Sequence, residues 1–455
     1  MKSQRKITRR QALQIAAGAA APLFIPSRLL GKDSPSNQIV MGFIGVGWMG
    51  EGNLGSFLGQ CDCRVVAIAD VDSRHLQKAV DQVNDKYKNK DCQGYKDFRR
   101  LLARTDIDAV CISTPDHWHC IPAVQAARAK KDIYCEKPLS HTLAEGVAMV
   151  DAVQKNGRIW QTGSWQRSVP NFRQGAELVL NGYIGKVKRV EVGLPSGHSD
   201  FAGTGGKTPN SEPPKEVDYD FWVGPAEYLP FNVGHFHKSW RWNYAYGGGQ
   251  LLDWIGHHND IGHWGLSNPK YGCGPDDQIG PLEVSATAEF PPKDAVWNTA
   301  TKYRVECKYP NDIELVIAGG YGDIKSGTKW IGENGWVWVD RGNDKGKTLG
   351  EKRGFDASDQ KWIAEIKTRE EKKGLEILLP VSPGHQRQFL DCVKSRQKTL
   401  TPVEVAHRSQ TPGHLGYIAS VVGRTLKWDA VKQEIVGDAE ASKLLSHEMR
   451  APWHL

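Results

Sequence analysis

From Gln38 onward, short apolar runs alternate with segments whose apolar positions recur at helical spacing. Residues 39–45, 65–69, 109–113 and 132–135 are apolar nearly throughout. Continuous runs of that length, separated by helices, predict a parallel sheet buried on both faces. This half closes near residue 160. Beyond it the period changes to strict alternation, at 187–192, 282–290, 303–308, 314–318 and 335–339. Alternation predicts a largely antiparallel sheet with one face covered and one open to association. Residues 194–239, rich in Gly, Pro and aromatics, read as an extended loop. Residues 341–380, dense in Lys, Glu and Gly, read as a solvated insertion, and helical periodicity returns from His385 to about Leu426.

The first thirty residues break this pattern. Lys2, Arg5, Lys6, Arg9 and Arg10 form a basic head, followed by the Ala-rich run 15–25. Paired arginines before a short, weakly apolar stretch read as a twin-arginine export signal over residues 1–31, implying a periplasmic or exported protein. The competing reading is an ordinary N-terminal helix of a cytoplasmic protein. The run is too short, and too rich in Ala and Gly, to span a bilayer well, so no stable membrane insertion is expected. Cleavage near Ala19–Ala21 and near Gly31-Lys32 both fit.

With 455 residues, 39% hydrophobic and 24% charged, the chain has the balance of a soluble protein of two domains. Much of its net charge of +7 sits in the basic head, and no basic stripe interleaved with aromatics follows, which argues against nucleic-acid binding. Nine cysteines without a CxxC pair indicate neither a zinc ribbon nor a redox dithiol. The sixteen tryptophans, many between Trp160 and Trp264, suit either sugar-ring faces or the core.

Three segments carry chemistry. Gly45-Val46-Gly47-Trp48-Met49-Gly50 follows a strand and opens a helix, where glycines let a pyrophosphate approach backbone N–H groups at the helix N-terminus. Asp70 lies twenty residues past Gly50 at the end of the next strand, placed to accept from the ribose hydroxyls. A carboxylate there repels a 2′-phosphate and favours NAD over NADP, although Arg74 is near. A turn that binds nothing is the alternative. Ser113-Thr114-Pro115-Asp116-His117-Trp118-His119 and Cys135-Glu136-Lys137-Pro138 sit where the third and fourth parallel strands end, so Thr114, Pro115, His119, Glu136 and Lys137 are placed to reach the cofactor. Lys137 is either a solvated turn residue or a cation that polarises a substrate hydroxyl. In the segment from Gly247 to Trp264, Asp253, His257, Asp260 and Trp264 share one helical face, and Asp253 with His257 could form a carboxylate–imidazole base. A metal site is not expected, because His257, His258 and His263 diverge on a helix. A helix with capped, hydrogen-bonded histidines remains the structural alternative.

Together these segments resemble the glucose-fructose oxidoreductase / inositol dehydrogenase family, also called Gfo/Idh/MocA, from about Ile39 to the end of the chain. The likeness includes Tyr95-Lys96-Asp97-Phe98, Asp106-Ile107-Asp108-Ala109-Val110 and Glu136-Lys137-Pro138. It continues through Gly163-Ser164-Trp165-Gln166-Arg167, the triple glycine before the helix, and His385-Gln386-Arg387-Gln388-Phe389. It implies an α/β protein with a Rossmann dinucleotide-binding domain over 38–160. A substrate-binding and oligomerisation domain with an open, mainly antiparallel sheet would follow over 161–455. It implies Lys137, Asp253 and His257 as the catalytic set: Lys137 polarising the hydroxyl, His257 taking its proton, and Asp253 holding His257 or a neighbouring hydroxyl. Arg167 and Arg241 are further candidates for substrate contact. Relatives place glycine two residues after the aspartate, whereas this chain has Ile255 there and Gly256 next.

The expected function is NAD-dependent oxidation of a sugar, polyol or glycoside, by a homo-oligomer that retains its cofactor tightly. Transient oxidation serving elimination or glycosidic cleavage is an alternative, as is a non-catalytic sugar-binding protein.

Overall fold

The continuous apolar runs become parallel strands because neither face of them meets water. In the computed structural model, which describes residues 37–199, 207–342, 354–367 and 375–455, they form the centre of a six-stranded sheet. Its strands are β1 (Ile39–Ile44), β2 (Cys63–Ala69), β3 (Gln93–Tyr95), β4 (Ala109–Ile112), β5 (Asp132–Cys135) and β6 (Trp160–Thr162). All pairs are parallel, in the order β3-β2-β1-β4-β5-β6. This is the doubly wound Rossmann order, whose ligand crevice opens beyond the carboxyl ends of β1 and β4, where the strand order reverses. The export signal expected over residues 1–31 lies outside the described residues.

The alternating half supplies β7 (Val187–Leu194), β8 (Glu283–Glu289), β9 (Lys302–Tyr309), β10 (Ile313–Gly319), β11 (Gly327–Gly332) and β12 (Trp336–Val339). With β13 (Phe355–Ala357), β14 (Leu426–Asp429) and β15 (Glu434–Ile435) they make an open nine-stranded sheet. Only β7 and β10 pair in parallel; the other pairs are antiparallel. The covered face packs on the helix Gly249–Leu266, which is buried along nearly its whole length.

Two expectations about loops need correction. Within 194–239, Tyr219, Trp222, Phe231 and Phe236 build an aromatic core of their own with Trp240 and Tyr246. This strap is tied to the first domain, where Ser73 N–H donates to Glu216 (2.9 Å) and Asp218 N–H to Val71 (3.1 Å). Within 341–380, β13 and the helix Gln360–Lys367 bury Ala357, Ile363 and Ile366 against the second domain, so that stretch is not simply solvated.

The chain also returns to the first domain near its end. The helix His385–Ser395 inserts Phe389 and Leu390, both fully buried, beside Phe57 and Tyr134. Burial of that kind stabilises by roughly 1.5–3 kcal/mol per side chain. Residues 385–406 therefore complete the first core rather than the second. No helix among the described residues is long and apolar enough to cross a membrane.

Candidate active site

The crevice at the end of β1 is shaped by three glycines with different duties. Gly45 has φ +79°, and a Cβ there would lie 2.9 Å from the Ser113 backbone. A Cβ on Gly50 would come within 2.3 Å of the Gly45 carbonyl oxygen, so Gly50 lets the helix close on the turn. Gly47 faces open space, its nearest neighbour being His75 at 3.8 Å. The helix Trp48–Leu58 then starts at Gly47 with no side-chain cap, leaving its first N–H groups to an incoming anion. A dinucleotide fits this cradle, with the pyrophosphate at the helix N-terminus and the ribose toward Asp70, which lines the same pocket.

Asp70 accepts from the N–H groups of Val46 (2.8 Å) and Asp72 (2.9 Å), and burial raises its pKa. Arg74 is bound to the Asp72 carboxylate through Nε (3.1 Å) and Nη2 (2.8 Å), which ties its guanidinium to the protein. Burial alone would raise Asp72, but Arg74 outweighs it and holds that carboxyl at about 2. Asp72, His75 and His237 also bring potential metal ligands within 4.8 Å of one another. That carboxylate is already shared between Arg74 and the His237 imidazole, 3.0 Å away, so the group is accounted for as a clamp between strap and sheet.

Beyond β5, Glu136 is buried and receives the Asn53 amide at 2.9 Å. Lys137 reaches across to the helix Gly249–Leu266, where its ammonium donates to the Asp253 carboxylate (2.7 Å) and to the Asp253 carbonyl (2.9 Å). Arg241 donates to the same carboxylate oxygen from 3.2 Å. Burial pushes Asp253 upward, but the two cations outweigh it and keep it below its ordinary value. Asp253 is thus paired with Lys137 and Arg241, not with His257 as the one-face pattern suggested. His257, one turn on, is held neutral by burial and by the nearby charges of Arg341 and Lys137, and its Nδ1 has no partner among the described residues. Such a nitrogen can accept a proton.

Other expected residues stand behind the pocket wall or away from it. Val46 and Gly50 shape the turn. His119 is pinned between the carbonyls of Pro138 (2.7 Å) and Thr114 (2.9 Å), which fixes both loops, and burial lowers it to about 4. Gly45, Gly47, Trp48, Met49, Thr114, Pro115, Glu136, Lys137 and Arg241 do line the pocket. Arg167 does not reach it: the side chain is buried and every donor group is spent on Asp260 and Asp276. His258 and His263 turn to Gln166 (3.3 Å) and Tyr309 (2.8 Å), so the three helix histidines do not converge.

The structure adds residues that the motifs did not single out. Asp116 is buried at the pocket with Trp240, and burial raises its pKa well above the ordinary carboxylate range. Its place in the Thr114-Pro115-Asp116 segment was the available signal. Gln166 and Arg341 flank His257, and no sequence period pointed to either.

Residues 39–164 match the family model for an oxidoreductase family NAD-binding Rossmann fold, and residues 167–344 and 363–455 match its C-terminal alpha/beta domain. The chain is 34% identical over 157 residues to Uncharacterized oxidoreductase YrbE of Bacillus subtilis, covering 34% of this chain and 44% of the relative. It is 31% identical over 147 residues to Inositol 2-dehydrogenase of Salmonella typhimurium, covering 32% and 42%. The chain thus spans under half the length of these curated relatives. The fold is shared with the WlbA dehydrogenase from Bordetella pertussis, solved in complex with NADH and UDP-GlcNAcA, with a TM-score of 0.58 and 16% identity over 86% of this chain and 99% of that one.

Proposed function

This chain belongs to the Gfo/Idh/MocA oxidoreductase family, and we propose that it oxidises a hydroxyl of a sugar, polyol or glycoside with NAD as the hydride acceptor. The observation that carries this is the Lys137–Asp253–Arg241 cluster at the pocket rim, with neutral His257 one turn further along the same helix. When bound, NAD supplies nicotinamide C4 to receive the hydride. The chain's own residues handle the rest. An ammonium has three N–H donors, and Asp253 takes two of those on Lys137. The third is left to hold and polarise the substrate hydroxyl oxygen. Asp253 and Arg241 keep the ammonium from swinging away, and His257 Nδ1 takes the hydroxyl proton. Asp70, together with the engagement of Arg74 by Asp72, supports NAD over NADP. The strap contributes His237, Lys238, Trp240 and Arg241 over the pocket, with Lys238 4.7 Å and Arg241 5.3 Å from the Trp48 ring. That cover supports tight retention of the cofactor, which suits an exported enzyme with the twin-arginine head read at residues 1–31, because free nicotinamide cofactor is scarce outside the cytoplasm.

The test has two parts. Purified protein is denatured and its supernatant assayed for NAD(H), with near one cofactor per chain expected. The native protein is then offered a panel of sugars, polyols and glycosides while cofactor reduction is followed by absorbance. Lys137→Ala should lower kcat/KM by about a hundredfold or more. A variant as active as the parent would remove Lys137 from the site.

A further inference from the structure

Arg341 follows β12 and lies beside His257, in a setting unusual for a cation. Its guanidinium carbon is 4.5 Å from the ring centroids of both Trp165 and Trp254, so the planar head is held between two indoles. These are the tryptophans that flank His257, at ring distances of 6.3 and 5.7 Å. Nε donates to the Gln166 side-chain oxygen at 2.9 Å, and the Gln166 amide turns toward the His257 carbonyl and His258 Nδ1, both at 3.3 Å. The head group is therefore fixed in position and aim.

What it lacks is a full set of hydrogen-bond partners among the described residues. Nη2 is shielded from solvent and has no hydrogen-bond partner among the described residues. The adjacent Asp340 carboxylate supports its charge but takes only the Arg341 backbone N–H, at 2.7 Å, and lies 3.6 Å from the His258 ring. Burial lowers Arg341 to about 10, so it is still charged at neutral pH. Its charge acts on Asp340, Asp253 and His257, and its two tryptophans both pack against the His257 ring. Asp253 is already shared by Lys137 and Arg241. Lys137, Arg241 and Arg341 thus face two nearby carboxylates, Asp253 and Asp340. If Arg341 served only to join two tryptophans, no donor should remain buried and unmade, because such a group is costly.

We propose that Arg341 anchors a carboxylate of the substrate, which makes the substrate an acidic sugar of the uronate or glyconate type. The inference rests on the oxidoreductase reading of the Lys137–Asp253–His257 site and names the substrate class of that site. A guanidinium edge presents planar, paired N–H groups, a shape that matches a carboxylate.

Binding is measured separately from turnover, by calorimetry on the full-length, NAD-loaded protein. The ligands are D-glucuronate, D-galacturonate and D-gluconate, each paired with its neutral parent, and the corresponding hexose phosphates. At least one acid should bind roughly a hundredfold more tightly than its parent. Arg341→Gln should abolish that preference and Arg341→Lys should retain part of it, with melting curves confirming that both fold. If Arg341→Gln does not fold, the wild-type preference and the Arg341→Lys response decide. Equal binding of acids and parents overturns the inference, as does a preference that survives Arg341→Gln. Tighter binding of the phosphates overturns the carboxylate assignment. Neutral sugars oxidised as readily as acids would sink this inference and leave the oxidoreductase reading standing. Acids bound through Arg341 without any cofactor reduction would do the reverse.

Discussion

Arg167 donates from Nε to Asp260 at 2.7 Å, from Nη1 to Asp276 at 2.5 Å and from Nη2 to both residues, with the Trp264 ring 5.0 Å from its guanidinium carbon. Nothing is left over for a substrate, and removing the cation would strand two carboxylates, one of them fully buried. Breaking a buried ion group in this way costs about 3–5 kcal/mol. Arg167→Ala should therefore lose stability of that order in chemical denaturation while the folded fraction keeps its KM. A change in KM with unaltered stability would return Arg167 to the list of substrate contacts. Arg341 presents the converse case, with a stacked head and a donor unspent. The two arginines are thus separated by where their N–H groups go, which residue type alone does not reveal.

The helix Gly249–Leu266 explains how much of the site could be read from spacing. Asp253, His257, Asp260 and Trp264 do share a face, but eleven residues of helix span about 16 Å, too far for one pocket. The structure divides them, Asp253 reaching Lys137 at the crevice, His257 lying one turn beyond it, and Asp260 and Trp264 serving Arg167. The glycine turn, Asp70 and Lys137 were legible because their meaning is local: strand, turn and helix occur in immediate sequence. The Lys137–Asp253 contact joins residues 116 apart, and no periodicity encodes it. The strands β3 and β6, three residues each, are too short to show a period, and the aromatic core of the strap comes from irregularly spaced rings. The fit between turn and helix can be tested at Gly50. A methyl there would meet the Gly45 oxygen at 2.3 Å, so Gly50→Ala must push the helix Trp48–Leu58 off the turn. The expected cost is about 1–3 kcal/mol in stability, with purified protein carrying clearly less NAD(H) per chain than the parent. Full cofactor occupancy in a normally folded variant would show that the turn tolerates the shift.

Across the whole molecule, the buried histidines set the response to acid. His117, His119, His385 and His407 are lowered to about 4, and His258, His263 and His414 to about 3, burial being the main cause in each. These seven stay neutral in the folded protein while the unfolded chain protonates them below about pH 6.5. Their contribution is fully present above that pH and is lost as the pH falls toward 4. Four carboxyls act in the opposite sense, being raised by burial: Glu145 to about 7, Asp260 to about 6, and Asp116 and Glu136 by direction. Being raised, these carboxyls offset part of the loss, but His235 and His237, also lowered to about 4, add to it. Because the lowered histidines outnumber the raised carboxyls, stability should fall between about pH 6 and 5, by about 1.4 kcal/mol per pH unit for each net proton taken up on unfolding. Denaturant titrations at pH 7, 6 and 5 read this directly, and a second, separate loss belongs below pH 4, where Asp62 and Asp72, held at about 2 by their cationic partners, begin to protonate. A stability that stays flat from pH 7 to 5 would count against neutral buried imidazoles in the fold, and with them against the proposed role of His257 as a neutral proton acceptor.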